Sequence, residues 1–146
     1  MGDRIREACG VFGIYAPGED VARLTFYGLY ALQHRGQESA GICSTDGIRL
    51  KIKTGMGLVS QVFDESILSP LHGSAAIGHT RYSTTGSSLS RNAQPLLMQG
   101  SDGDLSIGHN GNIVNAVQIR ESMEAAGHRF ETSTDSEIIG KYLLSH

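Results

Sequence analysis

The sequence predicts an α+β domain. Three observations carry that expectation across the 146 residues: short segments in which apolar and polar residues alternate between turn signals, longer segments with apolar residues at helical spacing, and no internal repeat or linker-like stretch. A chain of this length can bury roughly two-thirds of the surface it exposes when unfolded, enough for one sizeable core. Glycine, at 19 residues, is nearly double its usual share of roughly 7%. That excess points to tight turns and close backbone approaches.

The elements follow in order. After a polar, charged opening, residues 11–15 alternate small and apolar side chains around Gly13 and read as a short strand ended by Pro17-Gly18. Residues 19–34 carry Ala22, Phe26, Leu29 and Leu32 at helical spacing, with Glu19 and Asp20 favouring the N-terminal dipole and Arg35-Gly36 as a stop. Residues 40–44 and 48–53 flank Asp46-Gly47, a two-residue hairpin signal. Ile48, Leu50 and Ile52 alternate there with Arg49, Lys51 and Lys53, so one face is expected to be solvated. A short helix is expected within 59–68, before Pro70. Residues 75–79 read as a buried strand running into a Ser/Thr/Gly-rich loop over 80–90. Residues 94–98 and 105–109 read as strands around Asp102-Gly103. A helix over 113–126 ends at Gly127, and another over 135–145 opens with the capping box Thr134-x-x-Glu137. The pattern stops at His146 without a breaker, so the unit is expected to continue.

Composition removes several classes of function. Net charge is −3 and the Lys and Arg residues are scattered, leaving no basic stripe for nucleic acid or an acidic membrane. No apolar run approaches the roughly 20 residues of a membrane span. The opening octet lacks a secretory apolar stretch, so Cys9 and Cys43 are expected to be free thiols in a reducing, cytoplasmic setting. Met1-Gly2 lacks the Ser or Thr that myristoylation wants at position 6, which is Arg6. Gly55-Met56-Gly57 lacks the third glycine of a dinucleotide loop, since that position is Ser60. There is no C-x-x-C or H-E-x-x-H spacing for a metal.

Cys9 stands between Ala8 and Gly10, where the polar leader meets the first apolar strand. A buried structural cysteine is the bland reading. If the Ala8-Cys9 bond is cut, however, Cys9 gains a free α-amino group, which titrates near neutrality and can act as general base for its own thiol. The competing picture is a Cys/His dyad with His79 or His109, each following a Gly at the end of a predicted strand. Arg81, in the segment Gly78 to Gly86, is a side chain suited to gripping a carboxylate by two parallel hydrogen bonds. Asn110 and Gly111 precede a helix, where an amide and backbone N–H groups can converge on an oxyanion. Asp135 opens the last helix and is, read alone, a dipole partner.

The blocks Cys9-Gly10-Val11-Phe12-Gly13-Ile14, Gln33-His34-Arg35-Gly36-Gln37-Glu38-Ser39-Ala40-Gly41, Gly78-His79-Thr80-Arg81-Tyr82, His109-Asn110-Gly111-Asn112 and Asp135-Ser136-Glu137 occur in this order. Together they resemble the class II, N-terminal-nucleophile glutamine amidotransferase family, from Cys9 to the end of the chain. The second block is similar to the branch whose acceptor is phosphoribosyl pyrophosphate. Relatives that aminate fructose 6-phosphate usually read Tyr-Arg-Gly-Tyr-Asp there.

The resemblance implies a four-layer αββα sandwich, cut short at its C-terminal end, with residues 1–8 removed as a leader and 9–146 forming the front of a glutaminase domain. It implies that Cys9 attacks the glutamine side-chain amide, that Asn110 and Gly111 form the oxyanion hole, that Arg81 assisted by Thr84 binds the α-carboxylate, and that Asp135 binds the α-ammonium. Ammonia would pass to a C-terminal phosphoribosyltransferase domain to make 5-phosphoribosylamine for purine synthesis, in an enzyme expected to be a homo-oligomer. No cofactor is implied for this chain. Mg2+ and, in some leader-bearing members, an iron–sulfur cluster would belong to the remainder of the enzyme, and neither Cys9 nor Cys43 is a credible cluster ligand. A non-catalytic interaction or sensing module on the same fold, or an amidotransferase for another acceptor, stays open at this level.

Overall fold

The computed structural model describes residues 9–33, 38–82 and 89–145. The leader 1–8, Thr84 and the middle of the second sequence block lie outside them.

Strand β1, Gly10–Tyr15, leads through a turn into helix α1, Val21–Leu32. Asp20 starts that helix by accepting a hydrogen bond from the Arg23 N–H at 3.0 Å, satisfying a donor the helix cannot satisfy itself. Its inward stripe is Val21, Ala22, Thr25 and Leu29. Leu32, expected on that stripe, is 43% exposed because the helix ends there, one turn beyond the sheet-facing Leu29.

Strands β2, Ser39–Thr45, and β3, Leu50–Met56, form the expected hairpin, but the connection is four residues rather than two. Asp46 makes the longer turn by accepting from the N–H groups of Ile48 and Arg49 through Oδ1, while Gly47 takes φ +92°. Ile48 consequently points into solvent instead of joining the strand. The single helix expected within 59–68 is two, α2 (Val59–Val62) and α3 (Glu65–Leu68). Phe63 is extended between them and Asp64 caps the second through the Ile67 N–H. A 3-10 turn over Ser69–Leu71 accommodates Pro70 and delivers the chain to β4, Ala75–Arg81.

The first sheet has the order β1-β4-β2-β3, all antiparallel, with β4 central. The second is the pair β5 (Leu96–Met98) and β6 (Leu105–Ile107), also antiparallel. Helices α4, Ala116–Ala125, and α5, Ser136–Leu144, follow.

Four layers result. Helix α1 covers one face of the large sheet, where Gly28 leaves room for the Phe12 ring and Gly78 for Thr25 and Leu29. Leu29, Ile42, Val59 and Phe63 anchor the core on this side, each such burial stabilising by about 1.5–3 kcal/mol. The other face meets the small sheet and its flanks, where Gly41 packs against the Gln94 carbonyl and Gly108 against His79. Helix α5 closes the far side, with Gly140 against Met98 and Ile107. The order helix, sheet, sheet, helix is the αββα sandwich.

Candidate active site

Antiparallel pairing of β1 with β4 sets Gly10 opposite Thr80, so the residue before β1 lies beside the residues leaving β4. The Gly10 N–H donates to Thr80 Oγ1 at 3.1 Å and pins this corner. Cys9 Sγ therefore sits against the backbone of Tyr82, 3.5 Å from its N–H donor and 3.7 Å from its carbonyl oxygen.

Asn110 approaches from the loop after β6 and donates through Nδ2 to the Cys9 carbonyl at 2.5 Å. An Asn amide has two N–H donors, so a second remains for another acceptor. Gly111 packs against the His109 ring: a Cβ there would lie 2.8 Å from Nε2.

Arg81 ends β4. Its Nη1 donates to the Asn92 carbonyl at 3.1 Å, and Nε lies 3.6 Å from Glu38 Oε2. These contacts hold the guanidinium plane and leave the end-on edge of Nη1 and Nη2 for a planar anion. Asn92 in turn clamps the 133 loop, donating to Ser133 Oγ at 2.8 Å and accepting from the Ser133 N–H at 3.2 Å.

Asp135 stands at the start of α5. One oxygen accepts from the Ile113 N–H at 2.8 Å, and the other lies 3.7 Å from His109 Nδ1. Cys9, Arg81, Asn110, Gly111 and Asp135 thus line one cleft of about 740 Å³. The Arg81 guanidinium and the Asp135 carboxylate bring both signs of charge to it, with the thiol and the amide beside them, and Arg120, Glu121 and Glu124 line it as well.

His79, one of the two candidate bases of the competing Cys/His dyad, does not line the cleft. It lies on the face of β4 covered by the second sheet and is fully buried. Burial pulls its pKa down to about 4, against the favourable hydrogen bond from Nε2 to the His109 carbonyl at 3.1 Å. The ring is neutral, and Nδ1 has no partner among the described residues. His109 lines the cleft, but its Nδ1 faces Ser136 Oγ at 3.3 Å. Among the described residues, the hydrogen bonds of the Cys9 thiol go to the Tyr82 backbone and to neither histidine.

The expected capping box is corrected. Helix α5 has Asp135 as N-cap without a side-chain cap bond. Glu137 turns back to accept from the N–H groups of Glu131 and Thr132 and from Thr132 Oγ1. Burial alone would raise its pKa; those donors outweigh it and hold the carboxyl below its ordinary value.

Glu38, Tyr82, Asn92, Gln94 and Ser136 shape this cleft and were not singled out by sequence as site residues. Glu38, Tyr82 and Ser136 sit inside the motif blocks, which is the one signal available for them. Gln94 read only as the start of a strand. Among the described residues no group of three His, Cys, Asp or Glu side chains is placed to hold a metal ion, and no helix is long and apolar enough to cross a membrane.

A family model described as a glutamine amidotransferase domain matches residues 65–145. An amidophosphoribosyltransferase from Synechococcus elongatus is 59% identical over 137 residues, covering 94% of this chain and 28% of the relative. One from Mycobacterium tuberculosis is 52% identical over 97% of this chain and 28% of its own length. A solved structure described as the allosteric regulatory enzyme of purine biosynthesis superposes with TM-score 0.82 at 47% identity, covering 88% of this chain and 28% of that one. The glutamine phosphoribosylpyrophosphate amidotransferase of B. subtilis, solved with ADP and GMP, superposes with TM-score 0.74 at 43% identity, over 90% and 27% of the two chains. The chain spans little more than a quarter of the length of these relatives. With the αββα layers and the converging blocks, the match assigns this chain to the glutamine amidotransferase domain family, of the type found in amidophosphoribosyltransferases.

Proposed function

We propose that this segment hydrolyses the side-chain amide of glutamine and supplies the ammonia to a phosphoribosyltransferase domain of the same enzyme, for 5-phosphoribosylamine formation in purine synthesis. The observation that carries the reading is the convergence of Cys9, Asn110, Arg81 and Asp135 on one cleft from four separate parts of the chain.

Free glutamine differs from a glutamine residue in a protein by its two charged ends. Arg81 takes the α-carboxylate on the open edge of its guanidinium, and Asp135 takes the α-ammonium with its unused lone pairs. Thr84, assigned to the carboxylate end, lies outside the described residues. Cys9 Sγ then attacks the amide carbon while the Cys9 α-amino group accepts the thiol proton. The carbonyl oxygen becomes an oxyanion and accepts hydrogen bonds from the second Nδ2 hydrogen of Asn110 and from the Gly111 N–H. Collapse breaks the C–N bond, the protonated α-amino group of Cys9 passes the thiol's proton to the leaving nitrogen, and ammonia departs. Water hydrolyses the remaining thioester to glutamate and restores the thiol.

The base exists only when Cys9 is the first residue, because an amide-bonded nitrogen cannot take up the proton. Removal of residues 1–8 is therefore part of the proposal. In the whole enzyme, homo-oligomer formation, cytoplasmic location, Mg2+ and any iron–sulfur cluster belong to the same reading, with those groups held outside this chain.

The test is glutamate release from glutamine by the full-length protein in two forms, one beginning at Cys9 and one retaining residues 1–8, each verified by mass spectrometry. Activity confined to the first form is expected. Equal rates in both would overturn the α-amine as base and return His109 to consideration.

A further inference from the structure

One buried side chain ties the two ends of this cleft together. Gln94 is 6% exposed. Its Oε1 accepts from the His109 N–H at 2.8 Å, and its Nε2 donates to Ser136 Oγ at 3.1 Å. His109 immediately precedes Asn110, and Ser136 immediately follows Asp135.

The directions of the two Gln94 bonds follow from their partners. A backbone N–H can only donate, so the Gln94 oxygen must face His109 and the Gln94 nitrogen must face Ser136. Ser136 Oγ accepts that donor and also lies 3.3 Å from His109 Nδ1. Gly111 packs against the Nε2 edge of the same ring. Gln94 thus holds the backbone entering the Asn110-Gly111 loop directly, through the His109 N–H, and holds Ser136 beside Asp135 through its amide.

We propose that Gln94 is a positioning residue of the glutamine site, holding the oxyanion donors and the α-ammonium reader at a fixed separation. The role rests on the glutamine-site reading above. A side chain that merely filled the core would affect stability alone. One that spaces the two loops must affect transition-state stabilisation through Asn110 and Gly111 and substrate binding through Asp135.

The experiment is steady-state glutamine hydrolysis by full-length Gln94→Met, Ser136→Ala, the double variant and Cys9→Ala, with thermal unfolding of each. Gln94→Met keeps the volume and removes both bonds. It should lower kcat and raise KM, each about tenfold, the scale of a buried hydrogen bond lost. Ser136→Ala leaves the bond from the His109 N–H to Gln94 in place, so it should raise KM with kcat within about twofold. The double variant's KM should fall short of the product of the two single effects, because the shared bond is lost only once. Kinetics of Gln94→Met within about twofold of the parent, or fully multiplicative KM effects, would overturn the proposal. If Gln94→Met does not fold, Ser136→Ala decides: an unchanged KM overturns it. Hydrolysis that survives Cys9→Ala would instead overturn the glutamine-site reading, whereas an inactive Cys9→Ala beside a normal Gln94→Met removes only the role of Gln94.

Discussion

Substituting Arg81 with Lys keeps the charge at the end of β4 and removes the plane that presents it. In the parent, Nη1 donates to the Asn92 carbonyl at 3.1 Å while Nε lies 3.6 Å from Glu38 Oε2. The guanidinium is thereby tied at Nη1 and paired at Nε, and Arg81 lines the cleft. A lysine has one nitrogen for all three tasks. Its nearest anion is Glu38, whose side chain is only 13% exposed and whose oxygens have no hydrogen-bond donor among the described residues. The ammonium is therefore drawn toward Glu38, and the substrate carboxylate loses its two-pronged contact. One charge-assisted hydrogen bond is worth about 1.5–3 kcal/mol, a rise of roughly 10- to 150-fold in KM for glutamine. The carboxylate is equally charged in ground and transition states, so kcat should stay within about threefold. Glutaminase kinetics of the full-length variant, beside its thermal unfolding curve, measure both numbers. A fall in kcat at unchanged KM would refute the placement of the α-carboxylate on Arg81.

Three further outcomes are expected. Asn110→Ala should lower kcat by roughly 10²- to 10³-fold with little change in KM, because an oxyanion donor acts mainly in the transition state; a change in KM alone would remove Asn110 from that role. Asp135→Asn should raise KM for glutamine yet matter much less for an analogue lacking the α-ammonium, and equal losses for both substrates would remove the proposed pairing. His79, whose pKa burial lowers from 6.5 to about 4, favours the folded state fully above pH 6.5, and this contribution fades as pH falls toward 4 because the unfolded chain takes up the proton first. His79→Gln, which retains a donor for the His109 carbonyl, should flatten the decline of unfolding free energy between those pH values. An unchanged slope in chemical denaturation would show that His79 is not the group responsible.

What the sequence made legible, and what it hid, divides along the range of the forces involved. Strands β1, β2 and β4 and helices α1 and α5 follow from apolar periodicity and local stop signals, and their stacking into αββα layers agrees with the family resemblance. The hairpin loop came out wrong because Asp46-Gly47 signals a turn without setting its length. The Asp46 carboxylate, capping two N–H groups, stretched it to four residues. Thr134-x-x-Glu137 failed as a capping box because Glu137 found three donors in the preceding loop, a tertiary choice the local spacing does not contain. The blocks brought Cys9, Arg81, Asn110 and Asp135 into view, but the side chains that orient them were invisible. Gln94 and Ser136 are 42 residues apart and Asn92 and Ser133 are 41 apart, so neither bond leaves a periodic mark in the sequence.

The most direct measurement is glutamine hydrolysis by full-length Cys9→Ala compared with Cys43→Ala. Cys43 is 2% exposed in the middle of β2, and burial pushes its thiol pKa up, away from the reactive thiolate. Cys9 stands at the cleft with Arg81, Asn110 and Asp135. Abolished glutamate release in Cys9→Ala, with most activity retained in Cys43→Ala, is the predicted result; comparable losses in the two variants, or activity surviving in Cys9→Ala, would contradict the assignment of the nucleophile.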